Sequence, residues 1–202
     1  MIRIYMFTII YLLFCVNILA QRNYDDIKEN YCDVKSLYPE CLVNHLPKLE
    51  QSKLFFYEFR FPRGRYLSHI HLGMIYSDEE IDLLNNEVIP KAKGIYHFTD
   101  SCSMIVDYNS TLYDSAPFSL KMCSSSLNML PIPNFEFLKE ANLPIDFYKN
   151  ASIYVLDAEQ GKFLADDCLS REGVGLSNEW LHGYTKGVAI HGKTAVYWLE
   201  VW

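Results

Sequence analysis

Basic residues are scarce in this sequence. Its 202 residues include 18 Lys and Arg against 25 Asp and Glu, which gives a formal net charge of −7 at pH 7. The cations cluster only around Arg60, Arg63 and Arg65. Nucleic-acid binding depends on clustered Lys and Arg that displace counterions from phosphates. The composition therefore argues against a nucleic-acid partner.

Signatures of common catalytic sites are also missing. The sequence has no Gly-x-Ser-x-Gly nucleophile motif, and its glycines between residues 173 and 187 do not complete a phosphate-binding fingerprint. Cys168 follows two aspartates, whose negative charges disfavour a reactive thiolate. The sequence thus leaves open whether the protein is an enzyme, and it points to no particular cofactor.

Long apolar runs are absent after residue 20, but residues 4–20 form a nearly unbroken one behind Arg3. One cation followed by such a run is the layout of a secretory signal peptide. At ~1.5 Å per residue the run reaches only ~26 Å, against a hydrocarbon core of ~30 Å. We expect cleavage after Ala20, export to the periplasm or secretion, and no stable membrane insertion of residues 21–202. A retained membrane anchor is the alternative.

Cysteine usage agrees with export. The sequence has six cysteines, one of them inside the apolar run. Cys32 and Cys41 are close in sequence, and Cys102 and Cys123 lie on segments typical of paired strands. The economical arrangement is a disulfide within each of these two pairs, with Cys168 left free. Buried, reduced cysteines that pack as small apolar residues are the alternative.

The rest of the chain has the patterns of a mixed α and β domain. Aromatic and charged residues alternate over residues 55–61, and the alternation continues over residues 66–76, which predicts a hairpin. Ser77 and Glu80 form a capping-box signature at the start of a helix. Near the C-terminus, residues 184–202 predict a second hairpin, whose last strand is apolar on both faces.

Short connections between most of these strands indicate an antiparallel sheet, and helices are inserted at two or three points. One of these helices is predicted from residue 23 by apolar residues at three- and four-residue steps. We therefore predict an α+β fold: a single domain over residues 21–202, mainly an antiparallel sheet with two or three helices packed on one face and a C-terminal β-hairpin.

Histidines supply the candidate site. His69 and His71 are two residues apart on a predicted strand, so their side chains project from the same face and are close enough to share a metal ion. His97 is a candidate for a further ligand. The alternative is a half-exposed strand face without a metal.

Two functions are compatible with these patterns. The first is an exported, non-catalytic domain that binds another protein or a surface polymer through an aromatic-rich sheet face. The alternative is a small periplasmic or extracellular hydrolase, with or without a metal, that uses His69 and His71 together with His97 or His182.

Overall fold

The computed structural model describes residues 23–62, 67–100, 103–106, 129–135, 138, 141, 143 and 145–202. Contacts between Cα atoms divide the chain into two units, Met1–Leu37 and Tyr38–Trp202. In the first unit the described residues 23–36 form helix α1, as the apolar spacing predicts, and Tyr31 and Val34 are buried.

The predicted signal peptide, residues 1–20, lies outside the described residues. Within the ranges that the structure describes, no helix combines the length and the apolar character needed to cross a membrane.

A six-stranded sheet forms the framework of the second unit. The described residues of this unit form eight strands, of which six belong to this sheet. In chain order the eight strands are β1 (Leu54–Arg60), β2 (Ser68–Ile75), β3 (Gly94–His97), β4 (Met104–Val106), β5 (Pro131–Pro133), β6 (Ser152–Gln160), β7 (Gly183–His191) and β8 (Thr194–Val201). The order across the sheet is β1-β2-β8-β7-β6-β3, and every neighbouring pair is antiparallel. Strands β4 and β5 form a separate parallel pair. The α+β prediction is confirmed.

Three further helices accompany the sheet: α2 (Glu40–Val43), α3 (Asp78–Val88) and α4 (Ile145–Asn150). Short 3-10 turns follow at Ile89–Lys91, Asp166–Cys168 and Asn178–Trp180. The predicted capping box starts α3, because the Glu80 backbone N–H donates to Ser77 Oγ at 3.3 Å and Ser77 N–H donates to Glu80 Oε2 at 2.9 Å. These bonds satisfy N–H groups that the helix itself leaves unpaired.

Both predicted hairpins are present. Strands β1 and β2 pair with Glu58 opposite His71, and their connecting loop at residues 63–66 lies outside the described residues. Strands β7 and β8 pair with Gly187 opposite Trp198 and turn at Gly192, whose φ of +54° is in the left-handed region that glycine adopts readily.

Strand β8 lies at the centre of the sheet and is covered on both faces. On one face Trp198 packs edge-on against Phe135, with ring centroids 5.5 Å apart, in a cluster that includes Phe147 of α4. On the other face Tyr197 shares a cleft with Val88 of α3. Helices α3 and α4 therefore lie on opposite faces of the sheet.

The indole of Trp198 lies directly against the backbone of β7. A Cβ atom at Gly187 would overlap the Tyr154 carbonyl oxygen and two atoms of the Trp198 ring. The Trp198 Nε1–H points to Thr185 Oγ1 at 3.4 Å. Glycine is required at residue 187 by this close approach and not by a turn.

Candidate metal centre

Four polar side chains from three adjacent strands meet on one face of the sheet. His69 and His71 project from β2 on the same side, as their spacing predicts. The antiparallel registers place Glu58 of β1 opposite His71 and Glu200 of β8 opposite His69. Because directly opposed residues share a face, the sheet itself gathers these four groups.

The distances define two contacts at Glu58 and one at Glu200. Glu58 Oε1 lies 3.4 Å from His69 Nε2, and Glu58 Oε2 lies 3.8 Å from His71 Nδ1. The other ring nitrogen of His71, Nε2, is 3.0 Å from Glu200 Oε1. The two imidazoles stack, with centroids 4.4 Å apart and planes inclined by 18°. The Glu58 carboxylate therefore contacts both histidines, and the Glu200 carboxylate contacts His71 alone.

Burial differs strongly across the cluster. His71 is 1% exposed and Glu200 is fully buried, whereas the side chain of Glu58 is 40% exposed. His69 is 8% exposed, and neither of its ring nitrogens has a hydrogen-bond partner among the residues that the structure describes. The Glu58 Oε1 atom lies near His69 Nε2 without the geometry of a hydrogen bond. A buried imidazole without a hydrogen bond is unusual, because a polar group removed from water normally regains its hydrogen bonds within the protein.

The protonation states follow from these surroundings. Burial lowers the pKa of His69 to about 4, with the charge of His71 adding to the effect and Glu58 opposing it. Contacts with His69 and His71 hold the pKa of Glu58 well below its usual range. At neutral pH the cluster therefore has a neutral imidazole at His69 and an ionised carboxylate at Glu58.

His71 and Glu200 form a coupled buried pair. Burial alone would lower the pKa of His71, but its contacts with Glu200 and Glu58 outweigh burial and raise it. Burial raises the pKa of Glu200, and His71 opposes part of that rise. Glu200 Oε2 has no hydrogen-bond partner within the described part of the chain. The contact with His71 Nε2 is thus the interaction that compensates for the burial of the Glu200 carboxyl group.

This arrangement offers three metal ligands. Ligand atoms of Glu58, His69 and His71 all lie within 4.8 Å of one another. Neutral imidazole nitrogen and ionised carboxylate oxygen are ligands that zinc accepts. If His71 donates its Nε2–H to Glu200, its Nδ1 lone pair faces the metal position, and metal-bound histidines are commonly oriented by a carboxylate in this way.

The structure does not bring the other candidate histidines to this cluster. His97 is exposed at the end of β3, separated from β2 by three strands, and its Nδ1 lies 3.3 Å from the Ala151 carbonyl oxygen. His182 precedes β7, and its carbonyl oxygen accepts a hydrogen bond from Gly161 N–H. The physical reason for the separation of His97 is the strand order, which places β3 at the far edge of the sheet.

The predicted disulfides stay predictions. Cys32 and Cys41 are both exposed free thiols in the structure, and Cys168 has intermediate burial. Cys102 and Cys123 lie outside the described residues.

Sequence reasoning missed the two carboxylates of the cluster. The alternation along β1 places Glu58 on the face opposite to Tyr57 and Phe59, so the sequence did indicate the face on which Glu58 lies. Glu200 interrupts an apolar strand, and a charged residue in a strand buried on both faces is a sign of a paired group. Neither signal reveals the partner, because β2 and β8 are far apart in sequence.

The fold and the cluster together define an α+β domain with a candidate metal centre in its sheet. No known family, curated protein or solved structure matches the chain. The functional conclusions below therefore depend on the geometry of the site.

Proposed function

We propose that this protein binds one zinc ion through Glu58, His69 and His71, and that Glu200 orients His71. The observation that carries the proposal is the convergence of three ligand groups around buried His69, whose ring nitrogens have no hydrogen-bond partner among the described residues. A metal bond to one of these nitrogens would compensate for the hydrogen bonds that burial removes.

The spacing of the ligand atoms suits a zinc ion. Bonds of about 2.0 to 2.2 Å to a tetrahedral ion place neighbouring ligand atoms roughly 3.4 Å apart. Glu58 Oε1 lies 3.4 Å from His69 Nε2, Glu58 Oε2 lies 3.8 Å from His71 Nδ1, and ligand atoms of the three residues all lie within 4.8 Å of one another. Rotation of the stacked imidazoles toward one position would bring the three ligands around a single ion.

A metal-dependent hydrolase is the catalytic form of this proposal. Structural zinc sites almost always have four protein ligands, whereas catalytic sites have three and bind water at the fourth position. The cluster offers three, and the partly exposed Glu58 places it within reach of solvent. In such an enzyme the zinc ion would lower the pKa of a bound water, and the protein would supply the orientation of the ligands.

Binding to another protein or a surface polymer is the second candidate function. Its support among the described residues is Tyr57, which is 43% exposed on β1 at one edge of the sheet. Exposed edge strands are common sites of association. The large aromatic residues Trp198 and Trp202 are fully buried and do not contribute to such a surface.

Metal analysis of purified mature protein tests the zinc proposal. After addition of zinc and removal of the excess by dialysis, we expect about one zinc per chain by mass spectrometry of the metal content. His69→Gln removes a ligand nitrogen from a buried position and should abolish stoichiometric binding. Glu200→Gln should weaken zinc binding by about 10- to 100-fold, the usual effect of removing a carboxylate that orients a ligand histidine.

His97→Gln is the matched control, because it changes an exposed histidine on a distant strand and should leave the zinc content unchanged. Circular dichroism of each variant verifies that it is folded. Wild-type protein without zinc, or a folded His69→Gln variant that keeps its zinc, would overturn the proposal. In the first case, the position between His71 and Glu58 would hold a second proton on His71 in place of a metal ion, and that proton would make His71 positively charged.

We further propose that the chain is exported and begins near Gln21 after cleavage. The proposal is supported by the short apolar run behind Arg3. N-terminal sequencing of exported protein should find a start at or near residue 21. Recovery of intact Met1 in a membrane fraction would contradict it and favour a retained anchor.

A further inference from the structure

A cleft of about 460 Å³ lies on the face of the sheet opposite to the histidine cluster. Its volume is within the usual range of small-molecule sites, about 300 to 1,000 Å³. One wall is formed by α3 with Leu84 and Val88, and the floor is formed by the sheet with Leu156, Val188 and Tyr197. Apolar side chains thus cover parts of the wall and floor, and the rest of the lining is polar or charged: Asn44, His45, Glu87, Lys91, Asp157 and Lys186.

Lys186 of β7 places a buried cation in this cleft. The residue is 7% exposed, and its Nζ donates to the Cys41 carbonyl oxygen at 2.5 Å and to Asn44 Oδ1 at 3.2 Å. An ammonium group has three N–H donors, so one remains after these two bonds. Among the described residues, no carboxylate oxygen lies within ion-pair distance of Lys186 Nζ.

The nearby acidic groups of the cleft are engaged elsewhere. Asp157 Oδ1 pairs with Lys93 Nζ at 2.5 Å, and Asp157 Oδ2 accepts a hydrogen bond from Tyr184 at 2.7 Å. Glu87 pairs with Lys91 at 2.7 Å. Lys186 is therefore a buried charge without a direct counterion, whereas buried charges are normally paired.

We propose that the cleft binds a small amphipathic monocarboxylate, with its carboxylate on Lys186 Nζ and its apolar body between α3 and the sheet. The ligand supplies the counterion that Lys186 lacks, and Leu84, Val188 and Tyr197 cover its chain. A doubly charged phosphate is disfavoured, because Asp157 and Glu87 also line the cleft. This inference is independent of the zinc proposal, which concerns the opposite face.

Calorimetric titration with octanoate tests the inference. We expect saturable binding with a dissociation constant on the order of 1 mM, as is usual for a ligand of this size. Octanamide, which has the same chain but no charge, should bind at least about tenfold more weakly, because its amide oxygen can accept a hydrogen bond from Lys186 but cannot form an ion pair with it. Inorganic phosphate should not bind measurably.

Variants of the lining residues test whether octanoate binds in this cleft. Lys186→Met keeps the length of the side chain, removes the ammonium group and should weaken octanoate binding at least about tenfold. Lys193→Met changes an exposed lysine that pairs with Asp78 and should have no effect. If Lys186→Met does not fold, Leu84→Glu provides a second test, because it places a negative charge on a partly exposed wall of the cleft and should abolish binding.

Three results would overturn the inference. They are an absence of octanoate binding to the wild-type protein, equal binding of octanoate and octanamide, and unchanged octanoate binding in both Lys186→Met and Leu84→Glu. Each can occur whether or not the protein binds zinc, so the two proposals fail separately.

Discussion

We expect removal of residues 198–202 to abolish the cooperative thermal unfolding of this protein. Strand β8 pairs with β2 on one side and β7 on the other, so the truncation removes four of its eight residue pairs with each neighbour. It also removes Trp198 and Trp202, both of them fully buried. Loss of one buried tryptophan side chain typically costs about 3 to 5 kcal/mol, while a whole domain is stable by about 5 to 15 kcal/mol.

Differential scanning calorimetry measures this outcome. The full-length protein should show one transition in its main unit, and the truncated protein should show none or should aggregate. Leu83→Ala is a suitable control, because Leu83 is 70% exposed and its replacement should change stability by no more than about 0.5 kcal/mol. A truncated protein that still melts cooperatively within a few degrees of the full-length protein would mean that the end of β8 is peripheral.

Replacement of Glu200 by leucine should lower the free energy of unfolding by about 3 to 5 kcal/mol, the usual cost of removing one partner from a buried ion pair. Glu200 is fully buried and contacts His71 Nε2 at 3.0 Å. Leucine leaves the nitrogen of His71 in the core without an acceptor. Glutamine keeps an acceptor oxygen and should lose less, on the order of 1 to 2 kcal/mol.

Urea denaturation in metal-free buffer measures the effect without a contribution from bound zinc. Glu87→Leu is the matched control, since Glu87 forms an exposed ion pair with Lys91 and such pairs contribute little. If Glu200→Leu is as stable as the wild-type protein, the buried pair does not stabilise the sheet. Its role would then be confined to the orientation of His71.

Local patterns predicted the elements of this fold more successfully than its long-range pairing. The alternation over residues 55–61 and the capping box at Ser77 depend on neighbours within a few residues, and both are found as predicted. The pairing of β2 with β8 joins segments about 130 residues apart, as His69 and Glu200 illustrate. No local rule specifies such a register, because it results from packing of the whole sheet.

The same limit explains the candidate site. The spacing of His69 and His71 was sufficient to place them on one face, since side-chain direction alternates along a strand. Their carboxylate neighbours Glu58 and Glu200 come from two other strands, so they could not be assigned before the strand order was known. His97 was a reasonable candidate by sequence alone and lies too far away only because β3 is at the other edge.

The close contact between Gly187 and Trp198 has a consequence for how this sequence can diverge. The two residues occupy opposed positions on β7 and β8, and the indole fills the space that any side chain at residue 187 would need. A smaller residue at 198 would not by itself make room for alanine at 187, because the new Cβ would still overlap the Tyr154 carbonyl oxygen of β6. We therefore expect descendants of this chain to keep glycine at 187 even where the residue at 198 has changed.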